Sequence, residues 1–416
     1  MRTVSAYAEH LVSLLRRYPS SGPAVTNRSP PFTWQYIIAS VSSHGVAALL
    51  HRLETEGSPA TYMPKEYLAR VEDQRRATAF DNLRRYALFE AIAMRLRKQE
   101  LPVIPLKGLH LAELVYGDIS LRPMSDMDIL VRREHVEAAV ATLQGLGYGF
   151  DEDVSAAAGA MGDTTKCNLG LTHRESGAWL EVHWTLGEPP VRYARLLEDV
   201  WASARPAMLG DTEALVMAPE HLLLHVCAHL ACGHVFLFSL RGLCDIAEIA
   251  HVHPTLDWSV VSQAGTRYGL GRGVSAALRL ARDHLGAAIP NDVLLRLGAD
   301  KLDQDMLDEA LEHLVSGVDM AGELRTAPNV LALAGTGAPL AKLEAVWNRV
   351  FVPRAELSLL YGVPQRSPCL TLYYAVRLKD LLCKYTAAVW AMKVTDPELS
   401  ASAARHARLS NWINVG

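Results

Sequence analysis

The sequence predicts an α+β fold: a small mixed β-sheet near the middle of the chain, flanked by N-terminal and C-terminal helical regions. Three observations carry that expectation. Short apolar runs at residues 103–106, 127–131 and 178–184 are separated by segments with helical spacing. Asp126 and Asp128 at the start of one run, and Glu181 and His183 within another, lie at every second position, the period of a strand with distinct faces. On either side, long stretches show the i, i+3, i+4 apolar spacing of packed helices.

Residues 1–100 are expected to be helical, over 4–17, 34–56 and 65–99, with a Pro/Ser/Gly loop at 19–31. In the third helix Leu68, Val71, Ala77, Phe80, Leu83, Ala87, Ala91 and Leu96 form an apolar stripe, and the region is expected to cap a catalytic core. Residues 101–216 should form that core. They alternate a strand at 103–106, a helix at 109–117, a strand at 127–131, a helix at 134–145 and strands at 168–173 and 178–184. A Gly/Ala-rich loop at 159–165 and a strand pair near 206–216 complete the core. Residues 217–416 should form a C-terminal helical domain. Pro219 suits the first position of its first helix, and further helices are expected over 237–250, 258–268, 272–285, 303–315, 340–350 and 372–392. The last is amphipathic and fits core packing or a dimer face.

Length and composition narrow the function classes. With 416 residues, 50% hydrophobic and 21% charged, the chain can bury a large core. A net charge of -4 lacks the basic surplus of a nucleic-acid binder, so nucleic acid is an unlikely partner. Arg84, Arg85, Arg95, Arg97 and Lys98 form the main local basic cluster. Six cysteines without a Cys-x-x-Cys pair read as reduced thiols. The first residues lack a signal-peptide pattern, and no apolar run approaches the ~18 residues of a spanning helix. A cytoplasmic protein with no membrane partner is expected.

The chemistry concentrates in the core. Asp126 and Asp128 flank Met127 and precede Ile129, Leu130 and Val131. Strand alternation turns both carboxylates to one face, where like charges repel unless a cation lies between them. Oxygen ligands of this kind suit Mg²⁺. Glu181 and His183 share one face of a second strand whose other face is Leu180, Val182 and Trp184. Three carboxylates on neighbouring strands would cradle two metal ions, which can activate an attacking oxygen and stabilise a leaving one. Upstream, Lys107-Gly108 ends a strand and starts a helix; the glycine allows close approach of a phosphate, and Lys107 adds positive charge.

These residues, with Tyr116, Arg122 and the run from Ser125 to Val131, resemble the polymerase-β-like nucleotidyltransferase superfamily, and within it the bacterial group called uncharacterised nucleotidyltransferases. The resemblance is good over 101–184 and extends to about 250. It implies transfer of a nucleoside monophosphate, AMP from ATP, onto a small-molecule or peptide acceptor in a biosynthetic pathway, with release of pyrophosphate. Two Mg²⁺ ions would serve as cofactors and ATP as co-substrate. Asp126, Asp128 and Glu181 would be the catalytic and metal residues, Glu181 either as ligand or as base. Lys107, the Gly108 amide and Arg122 would hold the triphosphate. The superfamily's glycine turn usually carries a second glycine or a serine; here Lys107-Gly108-Leu109 offers no hydroxyl.

Several residues admit more than one reading. Arg122 either grips phosphate or orders its loop by a salt bridge to a nearby acid. His183 orients Glu181, contacts substrate, or is a satisfied polar residue at the edge of the site. His229 and Asp245 line the site or pair with each other. His221, His225 and His229, spaced i, i+4, i+8, offer zinc a ligand set, so a zinc-dependent hydrolase is one alternative function. A catalytically inert nucleotide-binding scaffold is the other.

Overall fold

A computed structural model describes residues 5–16, 32–56, 63–150, 167–237, 240–316, 366–390 and 397–414, with isolated positions between 347 and 363. Helices α1 (Ala6–Leu14), α2 (Trp34–Ser43), α3 (Ala47–Thr55) and α4 (Lys65–Arg97) come first. The middle of the chain follows as β1 (Val103–Leu106), α5 (Gly108–Leu114), β2 (Met127–Val131), α6 (Val136–Gln144), β3 (Tyr148–Gly149), β4 (Asn168–His173), β5 (Trp179–His183), α7 (Pro190–Ser203), β6 (Arg205–Leu209) and β7 (Thr212–Val216). Then come α8 (Pro219–Ala228), α9 (Arg241–Val252), α10 (Trp258–Ser262), α11 (Gly271–Leu285), α12 (Asn291–Arg296), α13 (Gln304–Ser316), α14 (Tyr373–Trp390) and α15 (Pro397–Asn414). The result is the expected mixed α+β architecture.

The five-stranded sheet has the order β1-β2-β5-β4-β3. Its β2–β5 pair is parallel and the other pairs are antiparallel. Pro105 lies in β1 at the edge of the sheet, where a missing N–H breaks no central ladder. Strands β6 and β7 form a separate hairpin beside β1.

Helices cover both faces of the sheet, and strand alternation sorts its side chains between two cores. Met127, Ile129 and Val131 join Leu180 and Val182 on one side, against Phe89 and Ile92 of α4 and Val140 of α6. Ile104, Leu106 and Leu130 face the other side and join a large helical core. That second core unites Leu11 of α1 with Val274 of α11 and Leu311 of α13, so the first and last thirds of the chain pack together. Among the described residues, no helix is long and apolar enough to cross a membrane.

Four departures from expectation have local causes. The helix expected over 34–56 is two helices, because Gly45 adopts a left-handed φ of 68°. The Val46 N–H then donates to the Val41 carbonyl at 2.8 Å, a six-residue reverse turn that ends α2. Helix α4 buries Val71 and Leu96 of the expected apolar stripe, but over its middle it buries a different face. Phe80 and Leu83 are exposed there, while Asn82, Tyr86, Phe89 and Ala93 are buried. The buried amide of Asn82 explains the rotation: its Nδ2 donates to the carbonyls of Ile119 (2.6 Å) and Arg122 (2.9 Å), tying α4 to the loop ahead of β2. The helix expected over 258–268 stops at Ser262, and the Leu270 N–H closes a turn onto the Ala264 carbonyl. Helix α7 adds an element between the sheet and the β6–β7 hairpin. The loop expected at 159–165 lies outside the described residues, as does nearly all of the helix expected at 340–350.

Candidate active site

The turn from β1 to α5 sets the first side chain. Lys107 takes φ 41° and ψ -104°, unusual for a residue with a Cβ. The next position admits only glycine without rearrangement, since a Cβ on Gly108 would lie 2.7 Å from Cγ and Sδ of Met124. Leu106 pairs with Asp128 across the β1–β2 ladder. Lys107, one residue further along, places Nζ 3.0 Å from Asp128 Oδ2.

The parallel β2–β5 pair then sets Asp128 directly opposite Glu181. His183 lies two residues along the same face and wedges between the two acids. Its Nε2 is 3.1 Å from Asp128 Oδ1 and 3.2 Å from Glu181 Oε2. Ligand-capable atoms of Asp128, Glu181 and His183 all fall within 4.8 Å of one another. Glu181 also accepts from Asn168 Nδ2 at 2.5 Å and from Trp179 Nε1 at 3.4 Å. Asp126 lines the same cavity just before β2, accepts from Ser125 Oγ at 3.0 Å, and has no ion pair among the described residues.

Charge here is tightly compensated. Asp128 is only 5% exposed, so burial opposes its ionisation. The adjacent Lys107 ammonium and His183 ring outweigh burial and hold its carboxyl far below the usual range. Burial likewise opposes charge on His183, yet hydrogen bonds to Asp128 and Glu181 lift it well above 6.5. Burial disfavours the Lys107 ammonium, but Asp128, Asp126 and Glu181 together keep it above its ordinary value. Asp126 goes the other way: burial, then repulsion from Asp128, pushes its carboxyl up.

This donor set fits a hard divalent cation. Three carboxylates face one cavity, and one of them, Asp126, is raised by burial and then by the negative charge of Asp128. Lys107 and His183 occupy the lone pairs that such a cation would take from Asp128 and Glu181.

The opposite wall of the cavity, about 770 Å³ in volume, comes from the helical core and includes His44, His229, His234, Arg241 and Asp245. Arg122 reaches across to this wall. Its Nε and Nη2 donate to the two Asp245 carboxylate oxygens at 2.8 Å each, and Tyr116 Oη donates to Asp245 Oδ1 at 2.9 Å. The partner of Arg122 is therefore an acid 123 residues away, not one of the acids of its own loop. Arg241 braces that loop, donating to the Pro123 carbonyl at 3.0 Å.

The three histidines spaced for zinc do not converge. Positions i, i+4 and i+8 spread over roughly 12 Å of helix axis, and His221 is turned to Ser203 Oγ at 2.7 Å. Among the described residues the cluster able to hold a metal is Asp128, Glu181 and His183. His229 pairs with His234, not with Asp245. His234 and Arg241 belong to the cavity without a local sequence signal. The positions of both depend on how the chain turns after α8.

His225, on α8, is buried, and neither ring nitrogen has a hydrogen-bond partner among the described residues. Burial, reinforced by the charge of Lys107, pushes it down to about 3. Its folded value lies below the unfolded 6.5, so the linked stability is present above 6.5 and is lost as pH falls toward about 3. His225→Leu is expected to stabilise the fold by about 1 kcal/mol by removing two orphaned polar atoms. It should also flatten the decline of stability on acidification. Urea midpoints measured across that pH window check both effects.

A family model described as "Uncharacterised nucleotidyltransferase" matches residues 30–286. No curated protein matches the chain, and no solved structure matches it.

Proposed function

Because the chain belongs to the uncharacterised nucleotidyltransferase family and is a transferase of nucleotidyl groups, we propose that it moves AMP from ATP onto a small-molecule or peptide acceptor, releasing pyrophosphate, in a Mg²⁺-dependent reaction on a polymerase-β-like core. The observation that carries this reading is the parallel register that sets Asp128 opposite Glu181, with Asp126 on the same cavity.

Asp126, Asp128 and Glu181 would hold two Mg²⁺ ions. When bound, the metal supplies charge neutralisation and a polarised acceptor oxygen. Lys107, ion-paired with Asp128, is the cation nearest these acids and neutralises triphosphate charge. Gly108 keeps the turn beside it open. His183 orients Asp128 and Glu181 by bonding both. Arg122 serves chiefly by locking its loop to Asp245, so that Asp126 is held where the triphosphate arrives. Catalysis of this kind is mostly positioning and electrostatics.

Two features support a small acceptor. The cavity volume of about 770 Å³ is within the usual span of small-molecule sites. The net charge of -4 gives no basic surplus for gripping several phosphates.

Calorimetry with ATP tests the reading. Mg²⁺ is expected to tighten ATP binding at least about tenfold, and Lys107→Ala to weaken it by about tenfold, near 1.4 kcal/mol. Equal affinity for ATP with and without the metal would sink the proposal.

A further inference from the structure

The chain departs from α-helical geometry just after α8, and it does so on the cavity wall facing the acids. Residues His229–Gly233 form a π-helical turn, closed by the His234 N–H donating to the His229 carbonyl at 3.0 Å. Such wide turns bring a residue five positions on nearly over the first, and they cluster at functional sites. Val235 and Phe236 follow with φ of 51° and 56°. Two successive left-handed residues with side chains are strained. The turn is therefore held against local preference.

It sets two imidazoles edge to face. The rings of His229 and His234 have centroids 4.3 Å apart at 84°, and their Nε2 atoms are 2.9 Å apart. Burial first, and then the neighbouring Lys107 charge, push both well below 6.5, His234 to about 4. At neutral pH both rings are uncharged, so one Nε2 donates to the other and the two are opposite tautomers. His229 lines the cavity, and its Nδ1 carries no hydrogen bond among the described residues.

Glu181, the other candidate for proton removal, is already engaged by Asn168, Trp179 and His183. Resting on the nucleotidyl-transfer reading above, we propose that His229 is the general base for the acceptor hydroxyl and that His234 is the positioning residue that relays its proton. As the acceptor oxygen forms its bond to the α-phosphorus, the bond from that phosphorus to the bridging oxygen breaks and pyrophosphate leaves with the electron pair. The hydroxyl proton passes to His229 Nδ1, the Nε2 proton of His229 moves to His234 Nε2, and the Nδ1 proton of His234 goes to water. Because the proton is handed on, no imidazolium accumulates beside Lys107 and His183, and a ring of low basicity suffices.

Histidine-selective ¹⁵N NMR of the full chain reads the relay directly. The expected result at pH 7 is a neutral His229 protonated on Nε2 and a neutral His234 protonated on Nδ1. The reverse tautomers, a doubly protonated ring, or stoichiometric zinc lost in His234→Ala would overturn the relay. Turnover gives a second arm, with α-labelled ATP, Mg²⁺ and water as the acceptor probe. His229→Ala is expected to lower AMP and pyrophosphate formation about 10²-fold, leave Mg²⁺-dependent ATP affinity within about twofold, and recover part of its rate with added imidazole. His234→Ala should lose about tenfold with the same unchanged affinity. If His229→Ala keeps its rate while Asp128→Asn is inactive, the relay alone is wrong. Normal turnover in Asp128→Asn would instead remove the reading on which the relay rests.

Discussion

Replacing Asp128 with Asn is expected to abolish pyrophosphate release, by about 10³-fold or more, equivalent to roughly 4 kcal/mol of transition-state stabilisation. The amide keeps the shape of the carboxylate, and its oxygen still accepts from His183 or Lys107. The charge that would bind a metal is gone. Stability should fall by only about 1–3 kcal/mol, because Asp126 and Glu181 remain near the Lys107 ammonium. The carboxyl is depressed in the folded state, so its contribution is present above the unfolded value of 3.8 and is lost as pH falls through the folded one. The variant should accordingly show a shallower acid limb. Turnover with labelled ATP, paired with urea unfolding at neutral and acidic pH, measures both effects. A variant that folds and turns over at near-normal rate would rule out Asp128 as the centre of the site.

Arg122→Ala is expected to cost about 3–5 kcal/mol of stability, the second large effect. The guanidinium is 7% exposed and forms both of its parallel bonds to Asp245. Its loss strands that carboxylate, which is 4% exposed, with Tyr116 as the remaining hydrogen-bond donor among the described residues. Arg122→Lys should be almost as harmful, since an ammonium cannot reproduce the planar fork. The double variant Arg122→Met with Asp245→Leu is expected to regain most of the loss, because a buried pair replaced by apolar groups removes both desolvation costs. It also separates two roles for the arginine. If Arg122 acts by anchoring its loop, the double variant keeps Mg²⁺-dependent ATP affinity within about threefold of the parent; if it grips phosphate, affinity falls about tenfold or more.

What the sequence determined by itself is what depends on neighbours along the chain. The period of two in Met127–Val131 and Trp179–His183 assigns the strands and sorts Asp128, Glu181 and His183 from Ile129, Leu180 and Val182, since alternate side chains take opposite faces. The small mixed sheet and the helical flanks follow from the same local periodicities. The stripe on α4 shows the limit of that logic. Apolar spacing pointed to Phe80 and Leu83, and the buried face instead contains Asn82, because the loop carbonyls of Ile119 and Arg122 needed a donor that only packing brings near. Tertiary structure alone decided the pairing of Asp128 with Glu181 across 53 positions, the wedge of His183 between them, and the choice of Asp245 as the partner of Arg122. It also decided the turn that stacks His229 on His234, which local propensity opposes. Buried charges and imidazoles take whichever complementary group the fold delivers within about 3 Å. That delivery is set by strand register and helix packing, neither of which is written at the position of the residue itself.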